Sequence, residues 1–262
     1  MPLDVPAFPP FYGLELASVV VDELRAVATT DQLVAIMRAI TREMGFRHYA
    51  LIDHDDLYAP RPGLVDLKDY PSAITERLFG QRQYRRDPII RGCIFADGAF
   101  LWSHLPHIIH LDRRDRASFD RGTREGLNEG ITVPYVRLGD CMGSCTFAGI
   151  SEPERAPRFL GAAQMIGIFA FQSARRLLSG DLPIIPAAPR LHPRPRDCVI
   201  LAGRGYSNKQ IARALALTPR TVDGYLTEAR RLFDVHDRTE LVVSAVLAGE
   251  IGLDELKVRQ PE

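Results

Sequence analysis

The chain has 262 residues, of which 46% are hydrophobic and 25% charged, and its 33 basic residues balance 33 acidic ones. This composition is that of an ordinary globular protein, and the length predicts two domains of about 180 and about 70 residues. Because the net charge is zero, nucleic-acid binding would require a local basic surface. No apolar run reaches about 18 residues and the amino terminus lacks the blocks of a signal peptide, so we expect a cytoplasmic protein without membrane contacts.

Helices and strands alternate along the first 179 residues. Apolar periodicity, capping residues and glycine stops predict helices, which cover 13–28, 30–44, 72–83, 113–128 and 158–178, with a shorter one opening at Asp87-Pro88. Runs of apolar and β-branched residues predict strands over 46–52, 64–67, 100–103, 131–138 and 144–150. Strands gathered into one sheet with helices on both faces make an α+β domain, a three-layer α-β-α sandwich.

A proline-rich segment follows this region. Residues 180–195 contain five prolines, which leave few backbone donors for regular structure. We therefore predict a ligand-sensing domain over 1–179, a stiff linker over 180–195 and a small all-α domain over 196–262.

The clearest functional signal is the segment from Ser207 to Phe233, which predicts two short helices joined by a tight turn. Ser207 can cap the first helix, and Thr218 followed by Pro219 is a start signal for the second. In the second helix the inward residues recur at helical spacing; they are Val222, Leu226, Ala229 and Phe233.

The opposite face of this helix pair carries hydroxyls and cationic groups, which suit phosphates and base edges of the major groove. The residues predicted to contact DNA are Ser207, Lys209, Thr218, Arg220, Thr221, Tyr225, Arg230 and Arg231. A helical hairpin with a solvated face is the alternative. The basic excess between Arg194 and Arg231 favours DNA.

Several motifs in this region resemble the DNA-binding domain of LuxR-type transcription regulators. They are Leu191-x-Pro193-Arg194, Gly205-x-Ser207-Asn208-Lys209-x-Ile211-Ala212, Thr221-Val222 and Arg238-Thr239-Glu240. The resemblance implies four helices, with the third in the groove of double-stranded DNA. It also implies a fourth, over about 239–249, that helps two copies pair as a homodimer; its apolar residues are Leu241, Val242, Ala245 and Val246.

Three positions depart from the LuxR pattern. Pro195 stands where the family usually has glutamate, and Glu228 and Leu232 stand where it usually has asparagine and lysine. A carboxylate repels phosphates and leucine donates no hydrogen bond, so an inhibitory dimerisation partner with weakened DNA binding is an alternative.

The first region resembles the autoinducer-binding domain of the same family, through Tyr70-Pro71, Asp87-Pro88, Trp102 and Gly130. The resemblance implies a palindrome-binding, quorum-sensing regulator with a pocket for an N-acyl homoserine lactone. By the same resemblance Asp87 accepts the ligand amide proton and Tyr70 donates to the acyl carbonyl. Trp102 forms an aromatic wall and Thr146 lies near the amide.

Two pocket positions do not match the family. Ile74 and Leu78 stand where tryptophan and tyrosine are usual, and neither can donate a hydrogen bond to a lactone carbonyl. Three possibilities stay open: the lactone sits differently, the signal is a less polar or different molecule, or the regulator needs no ligand.

Other classes of protein fit less well. No nucleophile elbow, phosphate loop or dinucleotide motif is present, so no enzyme is predicted. The four cysteines, and His104, His107 and His110, lack partners at ligand spacing, so we predict free thiols and neither metal nor cofactor. A phosphorylated receiver would use acidic residues such as Asp53 and Asp97 but needs a lysine after a later strand, and none is suitably placed.

Overall fold

The computed structural model describes residues 12–54, 63–76, 86–137, 141–179 and 189–257. These residues form two compact units, one up to residue 179 and one from residue 189. The first part of the predicted linker 180–195, up to residue 188, lies outside the described residues. Each unit is described by itself.

The first unit is a five-stranded antiparallel sheet with helices. The helices are α1 (Tyr12–Ala26), α2 (Thr30–Glu43), α3 (Ser72–Thr75), α4 (Pro88–Gly92), α5 (Arg113–Arg124) and α6 (Leu160–Ser179). The strands are β1 (Phe46–Asp53), β2 (Asp66–Lys68), β3 (Phe100–Leu101), β4 (Gly130–Arg137) and β5 (Cys141–Ile150). The sheet order is β2-β1-β5-β4-β3, and two 3-10 helices cover Trp102–His107 and Pro153–Phe159.

Alternation along the strands divides the apolar side chains between two cores. Leu51, Val133 and Phe147 lie in the larger core, with residues of α1, α2 and α6. Ala148 and Phe100 lie in a smaller core with residues of α3 and with Cys93, which caps α4. Because successive strand residues point to opposite faces, the sheet is covered on both sides. The predicted three-layer sandwich is confirmed.

Two predicted boundaries in this unit are wrong, and a third is not described in full. Thr29, not Thr30, caps α2, because its hydroxyl accepts from the Gln32 backbone in a capping box. The predicted strand 100–103 ends at Leu101, and Trp102 begins a 3-10 helix. The predicted helix 72–83 is described only through α3, since 77–85 lie outside the described residues.

Gly130 does not end the preceding helix as predicted. The helix α5 ends at Arg124, and Gly126 adopts the left-handed backbone that favours glycine, with φ +93°. Gly130 begins β4, where a Cβ atom would lie 2.6 Å from the Trp102 ring. A glycine is therefore required here by close packing.

The second unit is entirely helical. Its helices are α7 (Pro193–Gly203), α8 (Asn208–Leu215), α9 (Pro219–Leu232), α10 (Arg238–Leu247) and the short α11 (Leu253–Leu256). The four main helices agree with the prediction, and α11 was not anticipated. Residues 193–195, assigned above to the linker, form the first turn of α7. Prolines are compatible with that turn because its N–H groups have no partner within a helix.

The predicted pairing surface of α10 needs correction. Leu241 and Ala245 are fully buried and Val246 is 8% exposed, and all three belong to the core of the second unit. The apolar residues that α10 leaves outside are Val243 and Leu247, which are about half exposed. The apolar repeat contained a core face and a second, outer pair, and the prediction took the core face for the outer one.

Candidate ligand pocket and candidate nucleic-acid interface

A cavity lies on the face of the sheet that carries the smaller core. Its floor is formed by alternate residues of β1 and β5, which are paired as Ala50 with Thr146 and Ile52 with Ser144. Its other walls come from α3, α4, α5 and the 3-10 helix after β3. The cavity volume is about 80 Å³, several times the roughly 10–15 Å³ that one water molecule requires.

One end of this cavity gathers hydroxyl and carboxylate groups. Tyr70 and Thr146 both line this end of the cavity, and burial followed by the nearby Asp87 carboxylate raises the pKa of Tyr70 well above its usual range. Asp87 also caps α4, because one carboxylate oxygen accepts from the Ile89 backbone N–H at 2.9 Å. Asp87 is therefore both a helix cap and a wall of the cavity.

A salt bridge holds the helix that carries Asp87. Arg91 in α4 donates from one nitrogen to both oxygens of Asp115 in α5, at 2.9 and 3.0 Å. The Asp115 side chain is buried, so the pair is shielded from water on the carboxylate side. This contact fixes the orientation of α4 and so the position of Asp87.

A hydrogen-bond chain supports the same end from beneath. The indole N–H of Trp102 donates to the Thr132 hydroxyl at 2.9 Å, which lies 3.0 Å from the Thr146 hydroxyl. Either threonine hydroxyl can be the donor in this pair. The Tyr70 phenol is protonated at neutral pH because its pKa is raised, so it presents an O–H donor at the cavity wall.

The remaining predicted pocket residues have apolar roles. Ile74 is completely buried and lies on the cavity wall, and Trp102 presents its ring there and packs edge-on against Phe119. Leu78 lies outside the described residues. The structure thus brings five of the six predicted residues to one cavity, and their part in ligand binding stays a prediction.

Two polar residues of this cavity were not predicted. His54 follows β1 directly, and its Nε2 lies 2.9 Å from the Ser144 hydroxyl. Burial lowers the pKa of His54 to about 4, so the imidazole is neutral at pH 7. The sequence signal was the period of two, which puts 50, 52 and 54 on one face and 144 and 146 beside them. The predicted strand ended at residue 52, so His54 fell outside it.

The helices α8 and α9 each begin with a side-chain cap. Ser207 and Gln210 form a capping box at α8, and the Thr218 hydroxyl accepts from the Thr221 backbone at 3.1 Å at the start of α9. Between the helices Ala216 takes a left-handed conformation, with φ 55°. The predicted helix-turn-helix is confirmed.

The predicted DNA-contacting residues divide into two groups. The exposed ones are Ser207, Lys209, Thr218, Arg220 and Arg231; Thr221, Tyr225 and Arg230 are partly buried. Tyr225 packs against the core, and Arg230 donates to the Thr227 hydroxyl at 3.0 Å and towards the His236 carbonyl at 3.5 Å. Arg220 and Lys209 are thus better candidates for phosphate contacts than Arg230.

The three departures from the family pattern lie in different surroundings. Pro195 is buried in the first turn of α7, whereas Glu228 and Leu232 are exposed on α9. A Cβ at Gly224, on the same helix, would meet nothing within 4 Å. Of the three, only Glu228 and Leu232 are therefore accessible on the surface of this unit.

Two classes of site have no counterpart in the described parts of the chain. No helix there is long and apolar enough to cross a bilayer. No group of three or more His, Cys, Asp or Glu side chains is arranged to hold a metal ion within those same ranges. Cys93, Cys145 and Cys198 are buried free thiols.

A sheet domain with an internal cavity and a helix-turn-helix domain define a class of protein, the one-component sensor that carries its own DNA-binding module. The comparisons agree. Residues 29–176 match the model of the autoinducer binding domain, and residues 190–245 match that of bacterial regulatory proteins of the luxR family. The chain belongs to the LuxR family of autoinducer-binding transcription regulators. This family replaces the alternative of a phosphorylated receiver domain.

Individual proteins resemble the whole chain. The quorum sensing-dependent transcriptional regulator RpaR of Rhodopseudomonas palustris is 29% identical over 223 residues, which are 84% of this chain and 89% of RpaR. A crystal structure of Escherichia coli SdiA has a TM-score of 0.53 at 15% identity, over 90% of this chain and 98% of SdiA. SdiA in complex with octanoyl-rac-glycerol has a TM-score of 0.53 at 14% identity, over 92% of this chain and 97% of that one. These structures share the fold.

Proposed function

We propose that the chain binds a small, largely hydrophobic signal in the cavity beside Asp87 and, as a homodimer, reads a palindromic promoter site through α9. An N-acyl homoserine lactone or a less polar analogue is the signal class. We assign signal binding to residues 1–179 and DNA binding to the helices from Pro193 onward. The observation that carries the proposal is the meeting of Tyr70, Asp87 and Thr146 at one end of a mostly apolar cavity.

The chemistry of this end supports an amide-containing ligand. Asp87 supplies an acceptor and Tyr70 supplies a donor, which are the partners that an amide N–H and its carbonyl require. Burial makes both contacts stronger than they would be in water. Ile74 stands where the family usually has a tryptophan N–H donor, so the head-group end offers one hydrogen bond fewer. This favours a head group that depends less on hydrogen bonds than a lactone does.

The carboxylate can be tested by ligand-induced stabilisation. N-octanoyl-homoserine lactone should raise the melting temperature of the wild-type chain. It should not raise the melting temperature of Asp87→Ala. Because Asp87 also caps α4, the variant should lose about 1 kcal/mol of stability without ligand. Asp237→Ala removes another cap, at α10, and should keep the ligand-induced shift. An unchanged shift in Asp87→Ala would contradict the assigned role.

The exposed face of α9 supports the DNA-binding half of the proposal. Arg220 follows the Thr218 cap and the proline that starts the helix, so its guanidinium lies at the helix end that usually enters the major groove. Val243 and Leu247 are exposed apolar residues on α10 and supply the surface for pairing of two copies. Two paired domains carry two copies of α9, which matches a two-fold symmetric site.

A salt titration separates DNA binding from purely inhibitory dimerisation. Labelled palindromic DNA should bind with an affinity that falls as salt rises, and Arg220→Ala should weaken binding and reduce the slope by about one if it contacts a phosphate. Arg230→Ala is the matched control, since its guanidinium already contacts Thr227; it should leave the slope nearly unchanged. Absence of any salt-dependent binding would favour the dimer-only alternative.

A further inference from the structure

The cavity contains a second polar position, formed by His54 and Ser144. His54 is 9% exposed and lies on the cavity wall, and its Nε2 is hydrogen-bonded to Ser144. Its other ring nitrogen, Nδ1, is buried and has no hydrogen-bond partner. A buried polar atom without a partner lowers stability, so the fold alone gives no reason to keep a histidine at this position.

The hydrogen bond between Nε2 of His54 and the Ser144 hydroxyl is compatible with either tautomer, because a hydroxyl can donate or accept. In the tautomer that donates from Nε2–H to Ser144, Nδ1 of the neutral imidazole keeps a lone pair and is an acceptor. A buried Nδ1 in this state can be satisfied only by a donor that enters the cavity.

Strand geometry gives the distance between the two polar positions. Ser144 and Thr146 are two residues apart on β5 and point to the same face, which separates their levels by roughly 7 Å. Ser144 pairs with Ile52 and Thr146 with Ala50, so the wall between the two positions is apolar. A ligand whose amide lies beside Thr146 and whose tail runs along β5 would bring that tail to His54.

We propose that the cavity selects a signal whose tail carries a hydroxyl group, which donates to Nδ1 of His54 roughly 7 Å from the amide. This inference rests on the proposed function, because it assumes that a ligand amide occupies the end beside Asp87. It goes further by naming a second contact and the chemistry of the tail. An unsubstituted alkyl tail would cover the imidazole without giving it a partner.

Three lactones that differ only at the end of the tail test the inference. Hexanoyl-, 6-hydroxyhexanoyl- and 6-methoxyhexanoyl-homoserine lactone present a methyl, a donor and an acceptor that cannot donate. Titration calorimetry on the full chain should give about tenfold tighter binding for the hydroxyl compound than for the other two. The methoxy compound should show no gain over the alkyl compound, because an ether oxygen cannot donate to Nδ1.

Variants locate the preference. His54→Phe and Ser144→Ala should each abolish it, the first by removing the acceptor and the second by releasing the proton arrangement that makes Nδ1 an acceptor. His104→Phe, the same substitution at an exposed residue that does not line the cavity, should keep it. A hydroxyl preference that survives both substitutions would overturn the inference.

The outcomes also distinguish the two levels of proposal. Equal and measurable affinities for the three lactones would overturn the second contact and leave signal binding intact. No binding by any of them would contradict both. A preference for the methoxy compound would mean that Nδ1 carries the proton, which overturns the assignment of His54 as acceptor.

Discussion

The two units of the chain keep their polar side chains in opposite places. Within the described ranges, every buried polar or charged side chain lies in the first unit, with Thr132, Ser144, Thr146 and His54 grouped on one sheet face. The core of the second unit is apolar, and none of its hydroxyls or guanidiniums is fully buried. A unit that hides polar groups around a cavity can recognise a small molecule inside itself. A unit that exposes them suits a partner too large to enclose.

The largest expected effect comes from the apolar core of the second unit. Leu241→Ala removes a fully buried side chain and should lower the free energy of unfolding of this unit by about 2–5 kcal/mol. Leu247→Ala, on the same helix but half exposed, should change it by less than about 0.5 kcal/mol. Chemical denaturation of both variants measures the difference.

The same pair of variants checks the corrected pairing surface. Leu247→Ala should weaken self-association in sedimentation experiments while the fold stays intact. If Leu241→Ala weakened self-association without lowering stability, the original assignment of Leu241 to the pairing surface would be restored.

A smaller effect should appear in the first unit as a dependence on pH. His54 has a pKa lowered from 6.5 to about 4 in the folded chain, so the unfolded chain takes up its proton first as the pH falls. Stability is therefore complete above pH 6.5 and decreases between pH 6.5 and about 4. Each pH unit corresponds to about 1.4 kcal/mol, so the loss should reach about 3 kcal/mol.

Denaturant titrations at several pH values measure this loss, and His54→Phe is the control. The free energy of unfolding of the variant should depend less on pH over this interval, because residue 54 then has no imidazole to protonate. An identical pH profile in wild type and variant would mean that His54 is more hydrated than its position indicates.

The smallest expected effect concerns Gly224, on the exposed face of α9 in the second unit. Gly224 is exposed in the middle of α9 and an added Cβ would meet nothing, so Gly224→Ala should raise stability by about 1 kcal/mol. If this face approaches DNA closely, the same variant should bind palindromic DNA more weakly. Higher stability with unchanged DNA affinity would mean that the glycine is merely tolerated.

The sequence predicted helix starts and inward faces well where local chemistry decides them. Ser207 and Thr218 are caps as expected, and Val222, Leu226 and Ala229 are buried. These features depend on residues three or four positions apart, which a single sequence displays directly. The helix-turn-helix could therefore be described in detail before its structure was known.

The sequence predicted less where contacts join distant segments. Ser144 and His54 meet only because β5 pairs with β1, and 90 residues separate them in the chain. The role of Gly130 depends on the Trp102 ring, which lies against it only after β3 pairs with β4. On α10 two apolar faces had similar patterns, and only packing against α7 and α9 decided which one is internal.

Trp102 is the single tryptophan of the chain, and it forms part of the cavity wall with its N–H bonded to Thr132. Its emission spectrum is therefore an intrinsic reporter of whatever enters the cavity, and no label is needed. A shift or quench on adding an extract would reveal occupancy in unmodified protein, so fractions from a culture could be screened directly for the native signal.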